Sequence, residues 1–163
     1  MNDLGLPMTS FESDYNNGAH AEVLRALLET NDVQTASYGA DAFSESARQK
    51  IRIACEAPDA EIYFLTGGTQ TNATVISTIL KPYEGVIALD TGHISVHEAG
   101  AVEITGHKVL QITPERAVVD RPDPDAGKMN ASQLEDFVCR IENEPSREHC
   151  VFAGMVYISL PKE

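Results

Sequence analysis

Two clusters of residues in this chain stand where a ligand could be met, and the first has the types and spacing to hold a small anion. The first is Gly67-Gly68-Thr69-Gln70-Thr71-Asn72, which follows the β-branched and aromatic run Ile62 to Leu65 and precedes apolar residues at Ala73, Ile76 and Leu80, spaced as on one helical face. This order predicts strand, tight turn and helix. Gly67 and Gly68 permit backbone angles and close approaches that a Cβ forbids, and Thr69 is a natural N-cap. Unpaired amide N–H groups at the positive end of the helix dipole then suit a phosphate. A plain structural turn satisfies the same residues: no Lys follows the glycines as in the Walker pattern, and the three-glycine dinucleotide fingerprint is missing. The second cluster, His93 to Ala101, holds His93, His97 and Glu98 and follows the apolar run Val86 to Leu89. Loops at the carboxyl ends of strands are where α/β sheets contact their ligands.

The elements that must position these clusters alternate in an α/β rhythm. Helical periodicity at Val23, Leu24, Leu27 and Leu28 predicts a helix from Ala19 to Asn31, preceded by an extended entry and an Asn16-Asn17-Gly18 turn. A loop at Tyr38 to Phe43 leads to a second helix through Ala47, Ile51 and Ala54, with Ser44 as its expected N-cap. Strands are expected at Ile62 to Leu65, Val86 to Leu89 and Lys108 to Ile112, and a final one, nearly continuous in apolar residues, at Cys150 to Ile158. An amphipathic helix is expected over Asn130 to Asn143, capped by Asn130 or Ser132. The Pro-rich connection before it carries Asp120, Asp123 and Asp125, whose alternation with Pro and Arg121 fits a solvated loop rather than a metal site.

Composition narrows the function classes. The chain has 163 residues, enough for one domain with a sizeable core, and at 42% hydrophobic without a low-complexity tract it should be globular. A net charge of −13 argues against a nucleic-acid partner and leaves a local electropositive pocket, such as a helix N-terminus, to hold any anion. No apolar run approaches the roughly 20 residues that cross a bilayer, and the N-terminus lacks signal-peptide order, so a cytoplasmic protein without membrane contact is expected. Cys55, Cys139 and Cys150 form no CxxC pair and are expected as buried or half-buried thiols, with neither a disulfide framework nor a zinc site.

Four ordered blocks resemble the amino-terminal half of threonine aldolases and related β-eliminating lyases, pyridoxal-phosphate enzymes of the aspartate-aminotransferase fold type. They are Ser13-Asp14-Tyr15-Asn16, Tyr38-Gly39-Ala40-Asp41-Ala42-Phe43, the Gly67 to Asn72 turn and the His93 to Ala101 segment. The resemblance implies an α/β fold, the three-layer large domain of pyridoxal-phosphate-dependent transferases, with residues 1–163 as its amino-terminal part, incomplete because the chain stops before the Schiff-base lysine. The implied cofactor is pyridoxal 5'-phosphate, with Gly68, Thr69 and Gln70 binding its phosphate. His93 matches the histidine that stacks on the cofactor ring and exchanges protons with substrate, as against a polar loop residue. Ser13 is implied as a contact for the substrate carboxylate, where turn or capping chemistry is the bland alternative. Tyr38 is either a structural anchor or an active-site wall at a subunit boundary, and Ala42 stands where the family has Pro. Glu98 keeps the family pattern near the substrate, placed to orient His93 or a neighbouring amide. None of Lys50, Lys81, Lys108, Lys128 and Lys162 stands in the context of the cofactor-bonded lysine. The expected activity is cleavage of a β-hydroxy amino acid to glycine and an aldehyde, in a homodimer or homotetramer, this chain supplying part of the site and inactive alone. The alternatives are a β-eliminating lyase acting on other amino acids, or a non-catalytic remnant that binds an anion or a full-length paralogue.

Overall fold

A computed structural model describes residues 17–114 and 127–159. Ser13, the three aspartates of the Pro-rich connection and Lys162 lie outside the described residues. The chain divides into two compact units, Met1–Ile62 and Tyr63–Glu163.

The first unit holds two helices. Helix α1, Ala21–Thr30, starts where the His20 ring accepts a hydrogen bond from the Glu22 amide, and Arg25 pairs with Glu22 and Glu29 along its polar face. No residue of α1 is buried, and its apolar positions Val23, Leu24, Leu27 and Leu28 stand 50% to 79% exposed. Helix α2, Ala42–Ala54, is capped by Asp41 and not by Ser44: the Asp41 carboxylate accepts from the Ser44 amide at 2.8 Å and from its hydroxyl at 2.6 Å. Ser44 is therefore the donor in the capping interaction, at the third helical position. The chain leaving α2 is tied back to it, with Arg52 donating to the Ala60 carbonyl and Arg48 to the Ile62 carbonyl. Those bonds replace a strand ladder, and the expected strand at Ile62 to Leu65 is irregular backbone with Tyr63, Phe64 and Leu65 exposed.

The second unit contains a parallel sheet of three strands, β1 Glu84–Leu89, β2 Val109–Ile112 and β3 Phe152–Val156, in the order β2-β1-β3. Alternation along β1 sends Val86 and Ala88 to one face and Ile87 and Leu89 to the other. The first pair packs with Ile76 and Leu80, at and just beyond the end of helix α3 (Gly68–Ile79), and with Ile94, Val102 and Val109. The second pair packs with Ile112 and with Leu134, Phe137 and Val138 of helix α5, Ala131–Glu142, which Asn130 caps as expected. Helix, sheet and helix make three layers, and the central β1 is buried along nearly its whole length. Gly85 is required where β1 meets its neighbours, since a Cβ there would lie 2.6 Å from the Lys108 carbonyl oxygen. Buried His107 donates through Nδ1 to the Glu84 carbonyl at 2.9 Å, a structural role for a histidine without a motif.

The outer strands are shorter than their apolar runs. β3 ends at Val156 and mixes half-buried with exposed residues instead of being buried on both faces, because it is an edge of the described sheet; Val156 is 41% and Ile158 52% exposed. Cys55, Cys139 and Cys150 are all exposed, contrary to their expected burial: each falls on a helix end, an outer helix face or a loop rather than in the central layer.

Candidate functional site

Three chain segments of the second unit meet at the carboxyl ends of β1 and β3. Helix α3 begins at Gly68 with Gly67 as its cap residue, two residues before the expected cap Thr69, and no side chain caps the first turn. Gly67 has φ −166°, ordinary extended backbone, so the freedom of glycine is not used for its angles. Space is the feature that remains: a Cβ on Gly67 or Gly68 would meet nothing within 4 Å. The turn is therefore a cradle that a Cβ would partly fill, floored by the first-turn amides of Gly68, Thr69 and Gln70. Gln70 folds back over it, its Oε1 accepting from the Thr66 amide at 3.1 Å and hydroxyl at 2.8 Å. The open turn, its amides and the helix dipole fit a phosphate, while a chain of net charge −13 offers such a group few other attractive places.

His93 opens the short helix α4, His93–Val96, which follows the Asp90 to Gly92 turn at the end of β1 and is stitched back by Ser95 Oγ donating to the Leu89 carbonyl. Its side chain is half exposed. His93 Nδ1 lies 3.0 Å from Glu98 Oε1, and the same Oε1 accepts from Asn72 Nδ2 at 2.7 Å. Asn72 belongs to the opening turns of α3, so this bridge brings the phosphate-type turn and the imidazole into one site. Asn72 Nδ2 also reaches the Tyr157 hydroxyl at 3.3 Å, which accepts from Ser159 Oγ at 3.2 Å, adding the segment after β3. The Glu98 side chain is wholly buried, so the carboxylate meets any bound molecule only through its neighbours. The chain reverses directly after it, with Ala99 and Gly100 both at positive φ (51° and 79°) and the Ala101 amide donating to the Glu98 carbonyl. Such a φ is costly for alanine, and strain of this kind concentrates at functional sites.

Of the residues singled out from sequence, Gly68, Thr69, Gln70, His93 and Glu98 thus belong to one constellation. Tyr38 stands in the first unit, in a left-handed turn with Gly39 (φ 60° and 73°), its ring fully exposed and therefore no anchor among the described residues. His97 places its ring 5.5 Å from that of His93, tilted by 50°. Asn72 and Tyr157 are additions: Asn72 was visible only as a member of the turn, and Tyr157 only as a hydroxyl at the end of an apolar run.

The chain is similar to known proteins. The family model described as beta-eliminating lyase matches residues 10–154. The low specificity L-threonine aldolase of Pseudomonas aeruginosa is 27% identical over 132 residues, covering 80% of this chain and 35% of that protein. The low specificity L-threonine aldolase of a Pseudomonas species is 31% identical over 102 residues, covering 61% of this chain and 29% of that protein. A solved structure of Leishmania major threonine aldolase superposes with a TM-score of 0.77 at 40% identity, covering 92% of this chain and 40% of that chain. The chain thus spans about a third of the length of the curated relatives it matches. The structural likeness identifies the three-layer arrangement as the α/β fold of pyridoxal-phosphate-dependent enzymes.

Proposed function

Because the chain belongs to the β-eliminating lyase family, we propose that it supplies part of the active site of an amino-acid lyase of threonine-aldolase type, cleaving a β-hydroxy amino acid to glycine and an aldehyde. The observation that carries this reading is the Asn72–Glu98–His93 bridge, which joins the open glycine turn to the imidazole. Pyridoxal 5'-phosphate, when bound, supplies an electron sink for the pair released as the Cα–Cβ bond breaks. Gly68, Thr69 and Gln70 bind its phosphate through backbone amides and the α3 dipole. His93 would hold its ring by aromatic contact and would exchange a proton with the substrate. Lys81 lies in the turn before β1 and Lys108 immediately precedes β2, both at the opposite ends of the strands from His93, and neither is placed to bond the cofactor. The lysine for that role is proposed to lie outside this segment, which alone does not turn over threonine. Tyr38, fully exposed in its left-handed turn, is proposed as the wall of a partner subunit's site in a homodimer or homotetramer.

Titration of the purified chain with pyridoxal 5'-phosphate, followed by phosphorus NMR beside inorganic phosphate, tests the reading. The cofactor should bind more tightly than phosphate, and His93→Ala should weaken only the cofactor, by up to about tenfold, the scale of one lost ring contact. Equal binding of the two, unmoved by His93→Ala, would reduce the site to an anion-holding turn.

A further inference from the structure

Three features of the second unit are not explained by direct contact with a cofactor: the full burial of the Glu98 side chain, the lack of any hydrogen-bond partner for its Oε2 among the described residues, and the side-chain amide of Asn72. A buried carboxylate is costly, and its neighbours show what it holds. Oε1 accepts the Asn72 N–H at 2.7 Å and stands 3.0 Å from His93 Nδ1. An oxygen that already accepts from an amide is the acceptor toward the ring as well. If the carboxyl carries a proton at all, that proton belongs on Oε2, and Oε1 is still a carbonyl-type acceptor. In either state Nδ1 must be the donor.

We propose that Glu98 is the positioning residue of this site: its Oε1 keeps the His93 proton on Nδ1, so that Nε2 is the nitrogen bearing the lone pair, and Asn72 clamps the carboxylate in that orientation. Which imidazole nitrogen carries the proton is set by the hydrogen bond the other one makes. Here the bond is fixed from both sides. Helix α4 returns the chain, the His97 amide donating to the His93 carbonyl, and the Ala99-Gly100 reversal aims Glu98 inward. Asn72 then joins the setting of the ring to the helix whose amino end forms the cradle, so that cradle and imidazole are held at a fixed separation. The inference rests on His93 facing the cofactor and substrate, but the tautomer can be measured without either.

The experiment is long-range proton–nitrogen NMR on the histidine-labelled chain at alkaline pH, with His93 identified by the resonances that vanish in His93→Gln. The unaltered chain should show His93 protonated on Nδ1. In Glu98→Leu, which fills the volume but accepts nothing, the proton should move to Nε2 and the two ring-nitrogen resonances exchange character. Glu98→Gln, which keeps an acceptor oxygen, should restore the original pattern. An unaltered chain protonated on Nε2, or an identical tautomer in Glu98→Leu, would overturn the proposal; the first result does not depend on Glu98→Leu folding. Because no cofactor is present, a correct tautomer beside absent cofactor binding would sink the functional reading and leave this one standing.

Discussion

Gly68 separates the requirements of the fold from those of a ligand at a single residue. Nothing lies within 4 Å of a Cβ placed there, and the residue is the first of helix α3, so the protein's own packing does not demand glycine. Gly68→Ala should therefore leave stability unchanged or raise it by up to about 1 kcal/mol through better helix propensity. The added methyl would nonetheless occupy the mouth of the cradle and hold a phosphate away from the amides. Affinity for pyridoxal phosphate should fall about tenfold, equivalent to ~1.4 kcal/mol. Denaturant melts and phosphorus NMR on the same samples read the two effects apart. Reduced stability with unchanged binding would show that this glycine serves the fold alone.

The elements differ in how much of their position is local. At the start of α2, hydrogen bonds from the Ser44 hydroxyl and amide hold the Asp41 carboxyl below the usual carboxylate range. A folded-state value lowered from 3.8 means that ionised Asp41 stabilises the folded chain above about that pH, and that this contribution is lost as pH falls through the lower folded value. Thermal melts by circular dichroism from neutral pH to strong acid should show the unaltered chain losing stability below the ordinary Asp range. Asp41→Asn keeps an oxygen acceptor for the cap but cannot titrate, so it should lose less. Parallel losses in the two would assign the acid sensitivity elsewhere. Helical periodicity located α1, α2, α3 and α5, and short apolar runs located the strands of the central sheet. Residue preference assigned the cap of α2 to Ser44, whereas the structure uses Asp41, an equally good cap residue three positions earlier. It made a strand of Ile62 to Leu65 because composition says nothing of Arg48 claiming the Ile62 carbonyl. The candidate site was legible as motifs and not as contacts: Glu98 lies 26 residues from Asn72, and Tyr157 lies 85 residues from it. Separations of that size carry no period. Only the packing of α3 and the loops on the sheet brings them together.

At the scale of the whole molecule, the apolar surface is unevenly satisfied. β1 is buried on both faces, whereas α1 exposes Val23, Leu24, Leu27 and Leu28, and Tyr63, Phe64 and Val156 are 73%, 52% and 41% exposed. Leaving one such aliphatic side chain in water forgoes about 1.5–3 kcal/mol of burial, a large part of the margin that keeps a domain folded. β2 and β3 are also edges of the described sheet, with backbone groups unpaired on their outer sides, and edges of this kind invite pairing with other chains. The 163-residue chain by itself should therefore associate. Size-exclusion chromatography with light scattering should give a mass above the monomer that rises with concentration, and a hydrophobic dye should bind before denaturant is added. The double variant Leu27→Glu, Leu28→Glu should lower the apparent mass without altering the sheet, since these side chains are 61% and 79% exposed and contribute little to the folded interior. A monomer at every concentration, dye-silent and melting in one sharp reversible transition, would mean that the exposed apolar face and sheet edges are tolerated in water.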